Sequence, residues 1–111
     1  MAIDANVDHL NRKLRCLLHC ALYQRTIKLT CPQCSRVRRY DAVALWWWFE
    51  RHRKDDAIPA ALRRFYCSAC SRGGRGRIRP HYEITTEKPD DDQPPYPDER
   101  EWKRQISRYR S

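Results

Sequence analysis

Cys31-Pro32-Gln33-Cys34 and Cys67-Ser68-Ala69-Cys70 are the stretches best suited to chemistry, because each sets two thiols on one tight turn. Two such turns supply four sulfur ligands, the complement of a closed tetrahedral Zn²⁺ site. Four thiolates leave no coordination position open to substrate, so the motif points to architecture rather than catalysis. The same four thiolates would also ligate an iron–sulfur cluster, although short hairpins suit Zn²⁺ better. A redox-active Cys-Pro-Gln-Cys needs a βαβ setting with its first cysteine at a helix N-terminus, whereas an arginine-rich arm follows here. Asp41, Glu50 and the four histidines show no spacing that sets an acid beside a base, so the chain reads as a binding protein and not an enzyme.

Arginine is the second chemically informative residue. The 111-residue chain has 23 Lys+Arg against 14 Asp+Glu, a net charge of +9, which favours an anionic partner. Residues 31–86 hold twelve of the basic residues and five of the acids. Arg36, Arg38 and Arg39 leave the first cysteine turn, and Arg72, Arg75, Arg77 and Arg79 leave the second, so folding should bring two basic arms together as a phosphate-binding surface. Glycines in the second arm let backbone N–H groups approach an anion, and Tyr40, Tyr66 or Tyr82 are candidates to stack on unpaired bases. The plain alternative is that these arginines solubilise the domain or pair with Asp90–Asp92. DNA, RNA or an acidic protein surface would each satisfy the charge.

The elements that must position these residues follow from periodicity. Val7, Leu10, Leu14, Leu17, Leu18, Ala21 and Leu22 recur at helical spacing and predict a helix from Val7 to about Tyr23, with Asp4 or Asp8 at its start. His9, Cys16 and Cys20 would share one flank of it, a conceivable second metal site; otherwise the two cysteines are small, half-buried apolar residues. Thr26–Thr30 alternates as a strand into the first turn, and Ser35–Tyr40 leaves as its hairpin partner. Asp41 is a candidate N-cap for a helix over 42–54, with Leu45, Trp48, Phe49 and His52 facing the metal-bound hairpins. Trp46 and Trp47 then fall on a second face, which the N-terminal or the C-terminal helix must cover unless a dimer or another partner does. Pro59 should open a short helical turn, Arg63–Tyr66 should run as a strand into the second turn, and His81–Thr85 should close that second hairpin.

Beyond residue 86 the character of the chain changes. Residues 87–97 are acidic and proline-rich, a linker, and 98–111 return to helical spacing with Trp102, Ile106 and Tyr109 on one face. The expected organisation is thus an N-terminal helix (1–25), a Cys₄ domain (26–86), the linker (87–97) and a C-terminal helix (98–111), in an α+β fold. Trp46, Trp47, Trp102, Ile106 and Tyr109 form the candidate partner surface. No secretory leader pattern opens the chain, and no stretch approaches the roughly 20 apolar residues that span a bilayer. A reducing cytoplasm is the expected setting for six cysteines in paired spacing.

Cys31, Cys34, Tyr40, Leu45, Leu62, Arg63, Arg64, Cys67 and Cys70, spread from about Ile27 to Thr85, resemble the zinc-ribbon pattern. More narrowly, they resemble small bacterial and bacteriophage proteins of mostly unknown function with two C-x-x-C turns about a helix and an arginine-rich exit. The resemblance implies zinc-bound β-hairpins joined by a helix, and it implies hardly any function. Such proteins often place Gly directly after each turn, where this chain has Ser35 and Ser71. A phage-type inhibitor or adaptor of a nucleic-acid-processing complex is the alternative reading, with tryptophans and arginines as the contact surface.

Overall fold

The structure, a computed structural model, describes residues 5–110. It is an α+β fold. Three antiparallel strands, β1 (Thr26–Thr30), β2 (Val37–Asp41) and β3 (His81–Thr85), form a sheet in the order β2-β1-β3. Around it lie α1 (Leu17–Leu22), α2 (Ala42–Arg51), α3 (Ile58–Leu62), α4 (Ser68–Arg72) and α5 (Glu99–Arg110). No helix among the described residues is long and apolar enough to cross a membrane.

Register decides which sheet face is buried. Ile27 pairs with Tyr40 and Ile84, and Leu29 with Arg38 and Tyr82, so these side chains share one face. Ile27, Leu29 and Ile84 join Leu17, Leu45, Trp46, Phe49 and Ile58 in the principal core. The opposite face carries Lys28, Arg39 and Glu83, consistent with solvent on that side.

Asp41 caps α2 as its position predicts, accepting from the Val43 N–H at 2.9 Å. The helix stops at Arg51, short of residue 54, because Arg53 takes a left-handed φ of 54° that cannot continue it. Its buried residues are Ala42, Ala44, Leu45, Trp46 and Phe49. Leu45 and Phe49 sit as expected. Trp46, expected on a second face in need of cover, is only 3% exposed, while Trp48 and His52, expected to face the hairpins, are half-buried and exposed respectively and stack on each other with ring centroids 4.2 Å apart. Both suggested covers contribute: α1 packs on α2, and Trp102 of α5 meets Trp46 at 5.6 Å. With Trp46 internal and Trp102 half-buried against it, neither is presented as a free partner surface.

The N-terminal helix is much shorter than its apolar spacing predicts. Asp8 accepts from the N–H groups of Leu10 and Arg12, Asn11 is left-handed (φ 62°), and the Leu14 N–H donates to Asn6, so residues 6–14 form a tight reversal. Leu10 consequently lies 58% exposed. Asp4, the other candidate cap, lies outside the described residues. The six-residue α1 is held from a distance: Asp56 accepts the Leu17 N–H on its carbonyl (2.9 Å) and the Leu18 N–H on Oδ2 (3.0 Å).

The expected second hairpin is overturned. Arg63–Tyr66 is not a strand, because α3 carbonyls capture its N–H groups: Arg64 donates to Ala61 and Phe65 to Leu62. With that partner gone, β3 pairs with the free edge of β1 rather than closing a second hairpin. The acidic segment 87–97 has no regular structure yet is well anchored, the part a linker was not expected to play. Asp90 accepts the Arg39 N–H (3.0 Å) and pairs with Arg38 (3.1 Å), Gln93 accepts the Asp41 N–H (2.9 Å), and the Tyr96 hydroxyl donates to Asp41 (3.1 Å). These bonds cover the outer edge of β2.

Candidate metal centre

β1 delivers Cys31 to one end of the sheet, and the turn to β2 is closed by the Cys31 N–H donating to Arg36 and the Ser35 N–H donating to Cys31, each at 2.9 Å. Ser35 takes the left-handed φ of 64° that a glycine would fill without strain. The second turn repeats this construction: the Ser71 N–H donates to Cys67 (3.1 Å) and the Cys67 N–H to Ile78 (2.9 Å). Here the chain continues as α4 rather than as a hairpin arm, so Ser71 is helical and the left-handed positions fall to Gly74 (φ 80°) and Gly76 (φ 83°). Arg36 Nη1 donates to Ser68 Oγ (2.9 Å), tying the two turns together.

All four Sγ atoms lie within 4.8 Å of one another. Cys31 and Cys70 approach to 3.7 Å and Cys34 and Cys67 to 3.6 Å. Sulfurs about 2.3 Å from a central Zn²⁺ stand ~3.8 Å apart along a tetrahedron edge. The donor set and its spacing therefore fit a tetrahedral ion, with Cys31, Cys67 and Cys70 buried and Cys34 exposed. Ile78 packs against the cluster as its apolar lid.

The thiols are electrostatically unequal. Burial opposes ionisation of Cys31, yet the N–H groups of Cys34 and Gln33 and the thiols of Cys34 and Cys70 bring its pKa down to about 6. The Cys70 N–H lowers Cys67 in the same way. Burial, reinforced by the neighbouring thiols, pushes Cys70 up to about 12 although Arg75 Nη1 reaches its Sγ at 3.8 Å. Metal binding requires deprotonated thiols, and a bound dication would favour the thiolate form of each.

His9, Cys16 and Cys20 do not converge; the one metal-capable group of His, Cys and carboxylate side chains among the described residues is the four-cysteine set. His9 is exposed against the Tyr23 hydroxyl, and burial pushes the Cys20 thiol up to about 12. Cys20 is buried in the principal core and Cys16 is half-buried, small apolar residues as their plain alternative had it.

The structure divides the predicted basic surface. Arg38 pairs with Asp90 and reaches the Asp92 carbonyl, and Arg39 pairs with Glu87 (3.3 Å), so these two meet acids as the plain alternative held. Arg36, Arg72, Arg75, Arg77 and Arg79 are exposed and, among the described residues, have no carboxylate partner. Arg63 and Arg64, not assigned to this surface from the sequence, are exposed in the same way, and Arg79 donates to the Arg63 carbonyl (2.9 Å). The signal for them was an acid-free run: residues 57–82 contain six arginines and no Asp or Glu. Trp47, Ile106 and Trp102 are half-buried, and Tyr109 is exposed beside His19 at 5.9 Å. Compared with protein-family models, curated proteins and solved structures, the chain shows no match.

Proposed function

We propose that the four cysteines hold one structural Zn²⁺ and that the surface around the second cysteine turn binds nucleic acid through its phosphates, by binding and not catalysis. One observation carries the nucleic-acid reading: the six arginines of residues 57–82 are exposed and lack carboxylate partners among the described residues, whereas Arg38 and Arg39 are neutralised. Guanidinium groups left uncompensated on a small domain suit a polyanion. The tetrahedral sulfur spacing supports Zn²⁺, and six free thiols suit a reducing compartment such as the cytoplasm. The rival protein-interaction reading loses two of its tryptophans, Trp46 and Trp102, to internal packing.

The test is retention on DNA and RNA as salt is raised, with metal content measured on the same sample. Expected are about one Zn²⁺ per chain and a log–log salt slope of roughly −0.9 per phosphate contacted. Replacing Arg72, Arg75, Arg77 and Arg79 together by Ala should weaken binding to all sequences alike and flatten that slope. A wild-type protein that no DNA or RNA retains even at low salt would overturn the reading.

A further inference from the structure

A cleft of about 140 Å³ opens beside the sulfur cluster, between β2 and the residues that lead into the second turn. Leu29, Tyr40, Phe65 and Tyr66 line it, together with Arg36 and Arg38. The Tyr40 and Phe65 rings stand 5.7 Å apart. The Arg38 guanidinium lies 4.5 Å from the Tyr40 ring centre and that of Arg77 lies 5.3 Å from Tyr66, yet Tyr66 remains 47% exposed. Pockets for whole small molecules are roughly 300–1,000 Å³, so this one suits a single planar ring. Aromatic walls interleaved with guanidinium planes are the surfaces on which unpaired bases stack. Asp90 offsets Arg38, which leaves Arg36 in the cleft wall and Arg77 over the Tyr66 ring as charges without a carboxylate partner among the described residues, available to phosphates that flank a stacked ring.

We propose that this cleft takes an unpaired nucleobase against Tyr66 and so makes the protein prefer single strands to duplex. The proposal rests on the phosphate-binding reading above and adds a ring-binding contact to it. Bases inside a duplex are already stacked on their neighbours and offer no free ring to such a cleft.

Titration of the metal-loaded 111-residue chain at fixed salt separates the two contributions. The probes are a mixed-sequence DNA strand, its duplex with the complement, and an abasic strand of equal phosphate count. The single strand should bind about fivefold or more tightly than either of the others, with the same salt slope for the two strands. Tyr66→Ala should erase the gap between the normal and abasic strands, and Tyr66→Phe should keep it, both at unchanged metal content. Equal binding of normal and abasic strands by the wild type would overturn the cleft while leaving phosphate binding intact, and it needs no variant to fold. A Tyr66→Ala protein that keeps the gap would also overturn it. Absence of binding to all three probes would remove both readings together.

Discussion

The two ends of the sheet are held by different physics. At the helical end Leu17, Ile27, Leu45, Trp46, Phe49, Ile58 and Ile84 bury one another, and removal of apolar surface from water at about 25 cal/mol per Å² is the dominant stabilisation. At the sulfur end the buried cluster is three cysteines with Ile78 against them. Loops there carry Gly73, Gly74 and Gly76 among arginines, a composition whose backbone entropy is costly to fix and whose apolar area is too small to offset it. The sulfur end thus lacks the apolar area that holds the helical end, and β1, with Ile27 in the core and Cys31 directly after its last residue, joins the two.

Chelation, or Cys70→Ser, should unfold the sulfur end alone. Structural Zn²⁺ contributes roughly 10–16 kcal/mol in zinc-finger peptides, so the largest effect is expected here: amide protection lost over 31–36 and 63–80, with protection of α2 reduced far less. Hydrogen exchange mapped along the chain reads this directly, and uniform loss of protection would show that the two ends are one cooperative unit. The reciprocal change is Phe49→Ala, at a side chain 1% exposed, which should cost about 3–5 kcal/mol in chemical denaturation. Metal stoichiometry should be unchanged in the folded fraction, and a proportional fall in bound metal would count against separate origins of stability.

Smaller effects probe the segment over β2. The Arg39 N–H, and after it the Arg38 guanidinium, hold the Asp90 carboxyl below the usual carboxylate range against the opposing effect of partial burial. A depressed folded-state pKa contributes stability that is present above the unfolded value near 3.9 and is lost as pH falls through the folded one. Asp90→Ala should therefore cost ~1 kcal/mol at neutral pH, with the gap to wild type closing in acid below about pH 4. A gap independent of pH would assign the loss to packing. The smallest effect is a gain: Ser35→Gly should relieve a left-handed residue and raise the stability of the metal-loaded form by ~0.5–1 kcal/mol, read as a shift in melting midpoint. A destabilised variant would mean that the flexibility glycine adds to the unfolded chain outweighs the strain.

Much of the site was legible because its information is local. C-x-x-C sets two thiols on one turn whatever surrounds it, and Asp41 before Ala42-Val43-Ala44 caps a helix through its own next residues. The alternation of Thr26–Thr30 and the helical spacing of Trp102 and Ile106 are likewise written in neighbouring residues. Periodicity misled at Val7–Tyr23, where leucines at helical steps concealed the turn chemistry of Asp8 and Asn11, two polar residues that capture the backbone first. It misled again at Trp48, expected in the core: a run of four aromatics has no unambiguous buried face, and the deeper burial of Trp46 came from where α1 and Trp102 arrive.

The four-cysteine set, the Asp41 cap, the strand at Thr26–Thr30 and the excess of positive charge could be read from the chain alone, since each depends on composition or on residues a few positions apart. Which strand pairs with β1, which arginines meet acids and which stay bare depended on the folded chain. Glu87 and Asp90 lie about fifty residues from Arg38 and Arg39, and Asp56 reaches back to the start of α1 from nearly forty residues away. Pairings at that distance are chosen by how the core closes, because loop-closure entropy must be met by many contacts at once and no local pattern encodes their sum.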